Sequence, residues 1–95
     1  MPDEGTRVII TVLGYDQVGI IAAIASILAD ARINILDISQ TILQGFFTMI
    51  MVVDMVESSL DTLQLSDILS SKGQEMNLSI MVQHEDIFKY MHRIG

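Results

Sequence analysis

Ninety-five residues suffice for a single domain with one modest core, and a hydrophobic content of 51% with a mean hydropathy of +0.50 argues against a disordered chain. The net charge of −7, the pI near 4.3 and only five scattered basic residues (Arg7, Arg32, Lys72, Lys89 and Arg93) leave no cationic footprint for nucleic acid. The absence of cysteine excludes disulfide and thiolate chemistry, and no apolar run approaches the roughly 20 residues that a membrane span needs.

The acidic start, Met1-Pro2-Asp3-Glu4-Gly5, lacks the basic region of a secretory leader, so a cytoplasmic protein is expected. Residues 7–13 form the first predicted strand. Val8, Ile10 and Val12 share one face, while Ile9, Thr11 and Leu13 share the other. Both faces are largely apolar, which predicts a central strand covered on both sides. Gly14-Tyr15-Asp16-Gln17-Val18-Gly19 then joins this strand to a helix expected over about 18–31. Its stripe is Ile20, Ile24, Ile27, Leu28 and Ala31, and Ala22, Ala23, Ala25 and Ala29 permit close packing. Asp16 is a candidate N-cap. A loop with glycine at both ends places free backbone N–H groups and a helix N-terminus at the end of a strand, a setting that suits a small carboxylate.

The second strand is expected over 33–43, with Leu36, Ile38, Gln40 and Ile42 on one face and Ile35, Asp37, Ser39 and Thr41 on the other. Gln44-Gly45 turns the chain into a third strand, 46–53, apolar on both faces apart from Thr48. Ser58 or Ser59 is the expected cap of a second helix whose stripe holds Leu65, Ile68, Leu69 and Met76. Gly73 falls inside that stripe, at a cost of about 1 kcal/mol against alanine, or ends the helix early. Leu78, Ile80 and Val82 alternate along a fourth strand, 78–83, and residues 84–93 form an amphipathic tail with Ile87, Phe88 and Met91 on one side.

The order strand, helix, strand, strand, helix, strand, with right-handed crossovers, gives an α+β domain. Its four-stranded antiparallel sheet has the first and third strands in the centre and both helices on one face. The other face is expected to carry Phe47, Met49, Met51 and Met81, or their alternates. That is more apolar surface than a monomer usually leaves wet. The C-terminal tail, a short helix, and a second subunit are both expected to contribute to its cover.

The strings VIITVLGYDQVGIIAAIA (8–25) and NILDISQT (34–41), with Gly45-Phe46-Phe47-Thr48-Met49, resemble the ACT domain, a regulatory module of the ferredoxin-like βαββαβ sandwich class. The tail from Val82 to Ile94 is similar to that of small stand-alone ACT proteins. The resemblance spans about residues 7–94 and implies one domain over 1–95, with a core at about 7–83 and a tail at 84–94. It further implies that an amino acid binds where paired domains meet, between the loop before the first helix of one and the second strand of the other. Carried onto this chain, the ligand-binding residues are Asp16, Gln17, Val18, Gly19 and Ile20, together with Asn34, Ile35 and Asp37. N–H groups near Gly19 and Ile20 would take the carboxylate. The Asn34 carbonyl, or the Asp16 or Asp37 carboxylate, would take the ammonium.

Each of these residues also has a purely architectural reading. Asp16 can serve as a helix cap, Gly14 and Gly19 as turn and packing positions, Asn34 as a turn residue, and Asp37 as a solvated strand residue. His84, Glu85, Asp86 and His92 lack the second cluster that a metal site requires, and no nucleophile arrangement, phosphate loop or CxxC occurs. The expected function is a non-enzymatic regulatory module, without cofactor, that senses an amino acid at a homodimer interface. The alternative is a ligand-free dimerisation module that docks on another protein. Neither nucleic acid nor membrane is an expected partner.

Overall fold

Alternating apolar residues at one end of the chain, and helical spacing immediately after, produce the arrangement the pattern demands. The computed structural model describes residues 6–86. Its elements are β1 (Arg7–Tyr15), α1 (Ile20–Asp30), β2 (Asn34–Leu43), β3 (Phe46–Asp54), α2 (Thr62–Met76) and β4 (Leu78–His84). The strands form one antiparallel sheet in the order β2-β3-β1-β4, so the two strands apolar on both faces are the central ones. This is the α+β, ferredoxin-like βαββαβ sandwich, with both helices packed on one face.

Register decides which half of each central strand meets the helices. Val8 lies opposite Val53, Ile10 opposite Met51, Val12 opposite Met49 and Gly14 opposite Phe47. These residues build the core with Ile20, Ile24 and Leu28 of α1 and with Leu65 and Leu69 of α2. Phe47, Met49 and Met51 are therefore on the covered face, contrary to the first-named set for the open face. Their alternates Phe46, Ile50 and Val52 take the open side, with Ile9, Leu13, Tyr15 and Met81. Alternation alone cannot choose between two apolar faces of one strand. Burial along the open side falls from Ile9, which is buried, to Leu13, Tyr15 and Phe46, which are exposed. The expected cover by Ile87, Phe88 and Met91, and the C-terminal helix itself, lie outside the described residues.

Three local departures from the sequence expectation have simple causes. A bulge between Ile35 and Asp37 lets Leu36 slip out of register, so Ile35 faces Val53 on the helix side with Ile38 and Ile42. The α2 cap is Asp61 rather than Ser58 or Ser59. The Asp61 carboxylate accepts from Gln64 N–H at 2.8 Å, and the Gln64 side chain accepts from Asp61 N–H at 2.9 Å, completing a capping box. Helix α2 also runs through Gly73 without ending. A Cβ there would stand 2.7 Å from the Leu78 carbonyl oxygen, so glycine is what lets α2 lie against β4. The Gln44-Gly45 turn has φ of 52° and 85°, the two left-handed residues of a tight type I′ hairpin.

Candidate functional site

Helix α1 begins without a side-chain cap. Its N-cap is Gly19, at φ 90° and ψ 6°, a conformation that costs other residues strain. Asp16 therefore does not cap the helix. It stands three positions too early, and its backbone N–H instead donates to the Gly45 carbonyl at 2.8 Å, tying the loop to the hairpin turn. The first N–H groups of any helix have no partner within it, so those that follow Gly19 are left for solvent or a ligand. The contrast with the side-chain-capped start of α2 is direct.

These N–H groups open onto a groove of about 310 Å³ between the start of α1 and the helix-side face of β2. Asp16, Gln17, Gly19 and Ile20 line one wall, and Gln40 and Ile42 line the other. Of the expected loop residues, Val18 points wholly into solvent. Gln17 is committed elsewhere, since its Nε2 donates to the Met76 carbonyl at 2.8 Å and pins the loop to the end of α2. Gln40 lines this groove and was not among the residues expected there on sequence grounds. The signal was present, in that an amide interrupts the apolar face of Ile38 and Ile42.

The other half of the expected site is at the far end of β2. Asn34 pairs with Asp54, whereas Leu43 pairs with Phe46 beside the α1 loop. Nine residues of strand separate these ends, roughly 30 Å. One copy of the chain therefore does not bring Asn34, Ile35 and Asp37 to Asp16, Gly19 and Ile20. The Asp37 carboxylate accepts from the neighbouring Ile38 N–H at 2.9 Å, while the Ile35 side chain packs against the core. Around Asn34 lies a second, larger groove of about 540 Å³, which Arg32, Asp54 and Glu57 also line. Arg32 sits there at φ 60°, just past the end of α1. Its N–H donates to Ala29 O and the Ile33 N–H to Leu28 O, a Schellman closure in which glycine is the usual occupant. Its guanidinium lies 3.7 Å from the Glu57 carboxylate, both largely exposed.

Among the described residues no group of three or more histidine or acidic side chains is placed to hold a metal ion, and no helix is long and apolar enough to cross a membrane. The chemistry on offer in the groove beside α1 is hydrogen bonding to a small polar molecule: bare N–H groups, the Gln40 amide and the Asp16 carboxylate.

Comparison with known proteins agrees with this architecture. Residues 6–83 match the ACT domain. The UPF0237 protein of Methanocaldococcus jannaschii is 49% identical over 89 residues, covering 94% of this chain and 99% of the relative. An ACT domain protein from Streptococcus pneumoniae superposes with a TM-score of 0.77 at 35% identity, over 97% of this chain and all of that one. A formyltetrahydrofolate deformylase from Pseudomonas syringae pv. tomato shares the fold, with a TM-score of 0.78 at 19% identity. There the match takes in 85% of this chain and only 28% of the enzyme. Pattern, topology and relatives converge, and the chain belongs to the ACT domain family.

Proposed function

We propose that this chain is a non-enzymatic regulatory module of the cytoplasm that senses a free amino acid held between two copies of itself. ACT domains are regulatory ligand-binding modules. The observation that carries the reading for this chain is the uncapped start of α1 above a groove walled by Gln40. The N–H groups after Gly19 take the ligand carboxylate, aided by the positive end of the helix dipole. Asp16 of the same copy, or Asn34 of the other, takes the ammonium; Asp37, opposite Val52, is on the open face, away from this groove. A zwitterion suits a chain of net charge −7 better than a polyanion does. Regulation follows by linkage, because a ligand that binds only the paired form favours that form and whatever partner recognises it.

Thermal unfolding against a panel of free amino acids tests this. A ligand at 100 times its Kd adds about 2.7 kcal/mol, a rise in Tm of roughly 10 °C or more in a domain of this size. The expected result is a selective rise with one or two amino acids, lost in Asn34→Ala while the dimer persists. A flat panel with an intact dimer supports the other reading, a ligand-free module that docks on another protein. That reading draws on Tyr15 and Phe46, whose rings stack with centroids 5.1 Å apart on the exposed end of the open sheet face.

A further inference from the structure

On the open face of the sheet, burial changes steadily along three of the four strands. Register sets the side chains of this face in rows. Leu43, Phe46 and Tyr15 form the row at the hairpin end, and Asp37, Val52, Ile9 and Gln83 form a row toward the other end. Along β1, Tyr15 and Leu13 are exposed, Thr11 is part-buried and Ile9 is 4% exposed. Along β3, Phe46 and Thr48 are exposed, and Ile50 and Val52 are part-buried. Along β4, Ser79 and Met81 are exposed and Gln83 is part-buried. On β2 the gradient is missing, since Asp37, Ser39, Thr41 and Leu43 are all exposed. Both helices pack on the opposite face, so neither produces this pattern. Strand neighbours do not produce it either, because Leu13 also lies between β3 and β4 and is 46% exposed.

We propose that the segment after Asp86 docks on this corner of its own sheet, over Ile9, Val52 and Gln83, and leaves the hairpin end of the face bare. The exit from β4 supports the direction. His84 turns to the helix side, where its Nε2 lies 3.5 Å from Thr62 Oγ1. Glu85, the next residue, turns the other way and sets its carboxylate 3.5 Å from the Arg7 guanidinium. Arg7 shares the open side of β1 with Ile9, so the chain has already stepped onto that face, and it is helical at Glu85 and Asp86.

Sequence, charge and reach agree with this occupant. Ile87, Met91 and Ile94 recur at helical spacing with Phe88 beside them, an apolar stripe suited to Ile9 and Val52. Residues 87–95 hold two of the five basic residues, Lys89 and Arg93, and none of the twelve acidic ones, so the segment is cationic against an acidic body. The N-terminal residues Met1-Pro2-Asp3-Glu4-Gly5 offer neither the stripe nor the charge. Eight helical residues rise roughly 12 Å, against about 10 Å from β4 across β1 to β3. That reach stops short of β2, whose open-side residues are the exposed ones. The inference is independent of the amino-acid reading, and it leaves Leu13, Tyr15, Leu43 and Phe46 as the apolar part of this face that the chain itself does not cover.

The chain has no cysteine, so a single introduced thiol reports on the cover. In the full-length chain, Ile9→Cys is expected to react with Ellman's reagent about tenfold or more slowly than Leu13→Cys, the exposed control on the same strand. Adding Phe88→Asp is expected to bring the two rates together, and Phe88→Ala to move them part of the way. Val52→Cys gives the same reading from β3 should Ile9→Cys not fold, and circular dichroism confirms the fold of each variant. An Ile9→Cys rate that Phe88→Asp leaves unchanged overturns the docking of this segment. A rate raised by removing residues 1–5 but not by Phe88→Asp assigns the cover to the other end of the chain and also overturns it. Protection that is lost on dilution of the protein overturns the assignment to the same copy, whereas protection independent of concentration supports it.

Discussion

Strands β1 and β2 carry similar apolar alternation and end in opposite environments. Ile10 and Val12 of β1 are 0% exposed, while Ile38 and Ile42 of β2 are 40% and 54% exposed. The difference is one of cover. β1 lies between two neighbours beneath both helices, with α2 seated toward β4. β2 has one neighbour and only the flank of α1. An apolar residue at a strand position therefore reports a surface that must be buried by something, and whether its own chain buries it depends on where the helices come to rest. The covered body supplies the stability of this domain. The uncovered edge leaves apolar surface that its own chain does not bury.

Substitutions that break the body should far outweigh those on the edge. Ile10→Ala removes a fully buried side chain beneath both helices and is expected to cost about 2–5 kcal/mol, read as a fall in the urea midpoint. Gly73→Ala is the sharper test of the same region. Alanine is the better helix former by about 1 kcal/mol, yet its Cβ would press on the Leu78 carbonyl. The expected outcome is a net loss of roughly 1–3 kcal/mol, and a gain would show that α2 and β4 do not depend on this close approach. Asp61→Ala, which removes the capping box of α2, is expected to lower stability by about 1 kcal/mol. Replacement of Ile38 by alanine marks the other side of the contrast. On its partly exposed edge, it should cost about 1 kcal/mol by the same measurement, well below Ile10→Ala, because a large share of its surface stays in water on folding. A cost equal to that of Ile10→Ala would mean that the edge belongs to the core after all.

Much of this was legible beforehand. Strand and helix periods differ, so Val8-Ile9-Ile10-Thr11-Val12 and the stripe of Ile20, Ile24 and Leu28 declare their elements without help from the rest of the chain. The two-sided apolar character of β1 and β3 identified them as central. Local hydrogen bonding was harder to read. Asp16, Ser58 and Asp61 are all plausible caps by type, and the choice among them turns on where each helix starts, within one or two residues. The bulge at Leu36 left no mark in composition, and it moved Ile35 from the polar face to the core face. The candidate site was expected as one place and lies in two. The Gly14–Gly19 loop and Asn34 were each singled out as candidates, but nothing local says that roughly 30 Å of strand stands between them in one copy.

The sequence by itself determined the element order, the central pair of strands and the hairpin at Gln44-Gly45, because each rests on periodicity or on backbone freedom within a few residues. Only the tertiary structure decided which apolar face the helices cover, which helix start stays bare and which strand edge stays open. Those outcomes depend on register and on where two helices settle across a sheet of four strands, which are distances between residues far apart in the chain.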